Sequence, residues 1–64
     1  MKYPNIDAER ARKGLTVSSL TNLLGVNRKT YYNWLSKGVI PQSKLNAMAD
    51  IFNVSVDYLL GRTQ

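Results

Sequence analysis

Apolar side chains recur along this chain at intervals of three and four, and no stretch shows the period-two alternation of a half-buried strand. Val17, Leu20, Leu23 and Leu24 form one such stripe, Tyr31, Trp34 and Leu35 a second, and Leu45, Met48, Ala49 and Phe52 a third. Polar and glycine punctuation divides them. Pro4-Asn5 opens a first helix over residues 6–13, with Asn5 as its cap, Asp7 and Glu9 as acids near its positive end, and Gly14 as its stop. Its apolar face is thin, only Ile6, Ala8 and Ala11, so Leu15 and the aliphatic stems of its arginines must help to seal it. Thr16 caps a second helix that Gly25 ends, and Asn27 caps a third that runs to Leu35 and closes over Ser36-Lys37-Gly38. Pro41 suits the first position of a fourth helix, which reaches Phe52 and meets a left-handed stop at Asn53. Ser55 caps a short fifth helix over 56–60, ended by Gly61. The pattern predicts an all-α fold of five helices with short joints.

Length and composition narrow the classes of function. The chain has 64 residues, enough for one domain over 1–64, and a domain of this size buries only about 60% of its unfolded surface. It has no cysteine and no histidine, which excludes disulfides and thiolate or imidazole metal sites. No apolar run approaches the roughly 20 residues that span a bilayer, and no signal-type segment follows Met1, so the reading is a cytoplasmic protein with no membrane partner. Nine Lys and Arg against four Asp and Glu leave a formal charge of +5, with a pI near 9.9. That balance fits a polyanionic partner, but a few surplus surface lysines would also serve solubility. Placement has to decide.

The second and third predicted helices share one tight joint, Gly25-Val26, and Arg28 and Lys29 fall in the first turn of the helix after it. Two helices joined this way make a helix-turn-helix, which points to DNA. The positive end of a helix dipole disfavours cations, so two of them there imply an anionic partner outside the fold. On the same helix Arg28, Lys29, Tyr32 and Asn33 share the face opposite the Tyr31, Trp34 and Leu35 stripe.

The succession Gly14-Leu15-Thr16, Leu20, Leu24-Gly25-Val26, Tyr31, Trp34, Ala49 and Val54-Ser55-Val56-Asp57-Tyr58-Leu59-Leu60-Gly61 resembles the lambda-repressor-like Cro/XRE family over nearly the whole chain. The resemblance implies a compact five-helix domain that reads operator DNA in the major groove, in bacterial and phage regulators that usually act as homodimers on near-palindromic sites. On that footing the third helix is the recognition helix. Arg28 suits guanine in bidentate fashion, Lys29 the same acceptors as a point charge, Asn33 adenine, and Tyr32 a phosphate or a thymine methyl. Thr16 and Asn27, as caps of helices whose free amides bind anions, together with Thr30, Ser36, Lys37, Ser43 and Lys44, stand where such a family touches the DNA backbone. Simple capping, worth about 1 kcal/mol each, also accounts for Thr16 and Asn27. Val56 and Tyr58 lie in the region through which such repressors often dimerise, against the alternative of packing within the chain.

Three positions depart from the family's pattern. Val17 stands where a glutamine is usual, which leaves only the backbone amide for a phosphate contact there. Leu35 stands where many relatives carry a glutamate paired with a helix 1 arginine, here Arg10, so Arg10 should turn towards DNA phosphate or solvent. Tyr31 replaces an aliphatic core residue, and its hydroxyl must find a partner or reach the surface. Stacking of Tyr31, Tyr32 and Trp34 on single-stranded nucleic acid is disfavoured, because adjacent helix residues point about 100° apart.

Catalysis has no foothold in the sequence: the acids Asp7, Glu9, Asp50 and Asp57 show no paired arrangement, no serine has a base beside it, and no cofactor motif is present. The competing reading is a protein-interaction module of the same fold, which predicts an exposed apolar patch and no DNA-reading chemistry on the third helix. Met1 and the ending Gly61-Arg62-Thr63-Gln64 fit either a complete small Cro-like protein or the head of a longer repressor with a linker.

Overall fold

Three side-chain caps and a series of left-handed stops divide the chain much as its sequence leads one to expect. In the computed structural model, which describes residues 2–61, they delimit α1 (Pro4–Arg12), α2 (Val17–Leu24), α3 (Arg28–Lys37), α4 (Gln42–Phe52) and α5 (Val56–Leu59). Thr16 accepts the Ser19 amide, Asn27 the Thr30 amide and Ser55 the Tyr58 amide, each satisfying a donor that the first helical turn leaves free. At the other end of α2, Gly25 adopts φ 72°, the Gly25 amide reaches the Asn22 carbonyl and the Val26 amide the Thr21 carbonyl. This Schellman-type stop turns the chain directly into α3. Asn53 ends α4 in the same left-handed conformation, at φ 57°.

Ile6, Leu20, Leu24, Tyr31, Trp34, Leu35, Leu45, Met48, Phe52 and Leu59 form one buried cluster to which every helix contributes. Helix α5 lies against α1 and α4, and α2 lies against α3 and α4. The three core residues of α3 are the stripe read from sequence, and Arg28, Lys29, Tyr32 and Asn33 are exposed.

The first two helices depart from the sequence pattern in detail. Helix α1 begins at Pro4, whose missing N–H is one the first turn would leave unpaired anyway, and Tyr3 precedes it without a side-chain cap bond. Asn5 is therefore no cap. Its amide group instead donates to the Tyr58 carbonyl at 2.8 Å and ties α1 to α5. The inward face of α1 is Ile6 and Glu9, while Ala8 and Ala11 are exposed. Burial of the Glu9 carboxylate is supported by the Tyr58 hydroxyl at 3.1 Å and the Arg12 guanidinium at 2.8 Å. In α2 the buried face runs through Leu20, Thr21 and Leu24, and Leu23 falls on its flank, 62% exposed. Thr21 tolerates that burial because its hydroxyl donates back to the Val17 carbonyl at 2.9 Å. Remaining boundary shifts are single residues or short extensions: Pro41 precedes α4 rather than opening it, α3 continues to Lys37, and α5 ends at Leu59.

Gly25 offers a clean test of the joint, because a Cβ there would meet nothing within 4 Å and only the backbone conformation resists it. Gly25→Ala should lower unfolding free energy by about 1 to 2 kcal/mol in urea titrations, and Gly25→Asn should recover part of the loss. Stability of Gly25→Ala equal to that of the parent chain would contradict this account of the turn.

Candidate nucleic-acid interface

Helix α3 exposes a polar face because its opposite face is committed to the core. Tyr31 is fully buried, Trp34 and Leu35 nearly so, and this fixes Arg28, Lys29, Tyr32 and Asn33 outward. The helix is then held by polar contacts at three places along its length. Asn27 caps its start, accepting the Thr30 amide at 2.8 Å. In its middle, the Tyr31 hydroxyl donates to Asp7 Oδ1 at 3.0 Å. At its end, the Lys2 amide donates to the Leu35 carbonyl at 2.7 Å and the Tyr3 hydroxyl to the Gly38 carbonyl at 3.1 Å. These last two occupy carbonyls that a helix terminus leaves without partners.

The N-terminal segment was silent in the sequence pattern, since neither Lys2 nor Tyr3 belongs to a periodic stripe. The φ of Gly38 is 81°, so the glycine serves the left-handed stop of α3; the Lys2 side chain passes 2.5 Å from where a Cβ would stand, but it is exposed and free to move aside.

Arg10 overturns one expectation. It does not turn to solvent: Nε donates to Asp7 Oδ1 at 2.8 Å and Nη1 to the Leu15 carbonyl at 2.6 Å, with the side chain 20% exposed. With a leucine at position 35, the acid three residues earlier on α1 supplies the counter-charge, so Arg10 is engaged within the fold and a phosphate would have to compete with Asp7 for it. Tyr31, the other departure, shares that acid. Both groups visibly needed a partner in the sequence, and Asp7, at i−3 from Arg10, was the signal that could have supplied it.

The electrostatics of this cluster follow from its geometry. The Arg10 hydrogen bond, with help from Tyr31 and the charge on Arg10, holds the Asp7 carboxyl below the ordinary aspartate range against the opposing effect of burial. Burial first, and then the bond to Asp7, pushes the Tyr31 hydroxyl well above the ordinary tyrosine value.

The other assigned residues fall on the surface around α3 with distinct hydrogen-bond states. Thr16 is exposed at the start of α2 and accepts the Ser19 amide at 3.0 Å. Thr30 is half-buried, and Lys37 and Ser43 are exposed, in α3 and in the first turn of α4. The Ser36 hydroxyl donates into its own helix, to the Tyr32 carbonyl at 3.0 Å, so a phosphate would have to compete for that proton. Lys44 is likewise engaged, its ammonium donating to the Leu24 carbonyl at 2.6 Å, where it satisfies the end of α2 and complements the negative end of that helix. These two are weaker phosphate candidates than their sequence positions imply. Val56 and Tyr58 are half-buried against the chain's own core, and the Tyr58 hydroxyl is used by Glu9.

Both ion pairs found among the described residues lie within α1, Asp7 with Arg10 and Glu9 with Arg12. Arg28, Lys29 and Lys37 have no such partner among those residues. The first turns of α2, α3 and α4 contain no acid, whereas α1 and α5 carry Asp7 and Asp57 there. Positive potential is thus neutralised on α1 and left open along the helix-turn-helix. The described residues include no group of three or more potential metal ligands of the Asp, Glu, His and Cys type, and no helix long and apolar enough to cross a membrane.

A helix-turn-helix family model matches residues 6–59, from the core residue of α1 to the core residue of α5. The chain belongs to the Cro/XRE-type helix-turn-helix family. No curated protein and no solved structure matches the chain significantly. The family is one of DNA-binding regulators rather than of enzymes, and α2 and α3 form the helix-turn-helix of this member. Among the described residues, Leu23, Tyr32 and Val39 are the exposed large apolar side chains, on α2, on α3 and in the loop that follows.

Because Asp7 ionises more readily in the folded chain than in the unfolded one, its contribution to stability is present above the ordinary aspartate value near pH 4 and is lost as pH falls through its lowered folded value. Urea titrations between pH 5 and pH 2 should show falling stability in the parent chain and a shallower fall in Asp7→Asn. An identical slope in the two proteins would mean that this carboxylate contributes nothing to acid sensitivity.

Proposed function

We propose that this helix-turn-helix protein is a sequence-specific repressor of bacterial or phage type, acting in the cytoplasm, two copies of which dock α3 into successive major grooves of a near-palindromic operator. The observation that carries the reading is the outward face of α3: two exposed cations, unpaired among the described residues, at the positive end of a helix dipole, beside an exposed asparagine. A cation in that position opposes its own helix unless an anion lies beyond it. Nucleic acid supplies phosphates and, in the groove, the acceptor edges of guanine.

In this reading Arg28 takes the O6 and N7 of guanine, Lys29 reaches the same class of acceptor, Asn33 pairs with the N6 and N7 of adenine, and Tyr32 adds an apolar contact. The free amides behind Thr16 and Asn27 and the side chains of Thr30, Lys37 and Ser43 hold the DNA backbone and set the register of α3. Bound across a promoter, such a complex represses by occlusion. The two-fold contact falls to α5, through Val56 and the exposed part of Tyr58, and it forms on DNA, where the operator's symmetry brings two copies together.

Titration of the protein onto a selected operator and a scrambled duplex at two salt concentrations tests this directly, with sedimentation counting the protomers bound. The operator should bind two copies and retain its preference as salt weakens the phosphate contribution. Arg28→Ala should lose about 1 to 3 kcal/mol on the operator and little on the scrambled duplex, while Lys37→Ala should weaken both and reduce the salt slope by about one. Equal binding to both duplexes, erased by salt, would favour the protein-interaction reading instead.

A further inference from the structure

The polar cluster behind the reading helix joins three parts of the chain through one carboxylate. Asp7 of α1 accepts the Tyr31 hydroxyl from α3 at 3.0 Å and the Arg10 guanidinium at 2.8 Å, and Arg10 passes on to the carbonyl of Leu15 at 2.6 Å. Leu15 immediately precedes Thr16, the cap of α2. Both elements that face DNA in the proposed complex, the start of α2 and the body of α3, are therefore braced against the same residue of α1. Tyr31 also meets the outward Tyr32 edge-on, with ring centroids 5.6 Å apart and planes at 64°, so the brace continues to the exposed face of α3.

Apolar packing alone allows a helix to slide or rotate by small amounts, whereas the buried Tyr31 and the half-buried Arg10 both direct hydrogen bonds onto one half-buried carboxylate, and such directional bonds favour a single arrangement. Two helices that must contact bases and phosphates simultaneously depend on their mutual register, since base contacts fail when the backbone contacts hold the protein out of line. From this geometry we infer that Asp7 and Tyr31 are positioning residues for DNA reading: the Asp7–Arg10–Tyr31 cluster sets the register between the phosphate-binding start of α2 and the base-reading face of α3. The inference rests on the proposed operator-binding function. Its consequence is that loss of the cluster lowers discrimination between sequences more than it lowers general attraction to DNA, which depends on charge rather than on register.

The test compares operator and scrambled-duplex affinities for Asp7→Ala, Asp7→Asn, Tyr31→Phe and Asn5→Ala, each measured well below its own melting temperature at fixed salt. Asn5→Ala is the control for general loosening, because it removes a different long-range hydrogen bond of α1, to Tyr58 in α5, without touching the cluster; all ratios are taken on a duplex carrying a single half-site, where the proposed two-fold contact of α5 plays no part. Asp7→Ala should lower the operator-to-scrambled ratio about tenfold, a change comparable to losing one good base contact. Tyr31→Phe should lower it less, and Asp7→Asn, whose amide oxygen still accepts from Tyr31, should lie nearer to the parent chain than Asp7→Ala does. Asn5→Ala should leave the ratio unchanged while lowering stability. If Asp7→Ala does not fold, Tyr31→Phe alone decides, since phenylalanine keeps the buried ring. An unchanged ratio in Tyr31→Phe and in any folded Asp7 variant, or an equal fall in Asn5→Ala, would overturn the inference. A parent chain that fails to discriminate between the duplexes would instead overturn the function on which it rests.

Discussion

Burial of Tyr31, Trp34 and Leu35 is the constraint on which the rest of this small protein depends. It draws α3 into a core shared with Leu20 and Leu24 of α2 and Leu45 of α4, and by helical geometry alone sends Arg28, Lys29, Tyr32 and Asn33 to the opposite side. Tyr31 adds a condition that an aliphatic residue would not. A hydroxyl taken into the core requires a partner, and Asp7 meets that requirement while also receiving the half-buried Arg10, so one carboxylate serves two groups from different helices. The N-terminal segment completes the arrangement by covering carbonyls at the end of α3.

Charge follows the same division of labour. Helix α1 carries two acids and answers each with its own arginine three residues later, so that its cations are largely used within the fold. The cations of α3 have no acids beside them, and Lys44, although basic and close by, is drawn to the end of α2. A formal charge of +5 on 64 residues therefore matters less as a total than as a distribution: Arg28, Lys29 and Lys37 put three exposed cations, unpaired among the described residues, on α3 itself.

The helices, their stops and the outward face of α3 were legible in the sequence because they rest on local rules. Thr16, Asn27 and Ser55 cap where hydroxyl and amide side chains precede helical periodicity, and Gly25 and Asn53 stop where a left-handed residue is required. What escaped the sequence depends on partners far apart in the chain. Asn5 looks like a cap until Tyr58 arrives beside it, and Glu9 looks like a surface acid until the Tyr58 hydroxyl makes its burial possible. Arg10 misled for a different reason: attention fell on the missing family partner at position 35, whereas its replacement, Asp7, lies three residues earlier on the same helix, at ion-pair spacing; only the sharing of that acid with Tyr31 is long-range. Leu23 shows the limit of periodicity itself, since four apolar residues in eight define a wide stripe and Thr21 decides which flank is buried. The family and its helix-turn-helix were recognisable from the succession of motifs, whereas the engagement of Ser36 and Lys44 within the chain required coordinates.

The most direct test of the central claim, that α3 and the start of α2 face DNA while α1 works from behind, is amide-resolved NMR of the labelled protein during titration with a selected operator duplex. Large shift changes are expected in residues 16–19 and 27–37 and around Ser43 in the first turn of α4, with the exposed face of α1 and the whole of α5 little affected at the first, monomeric stage of binding. Changes centred on the exposed face of α1, or spread evenly over the surface, would contradict it.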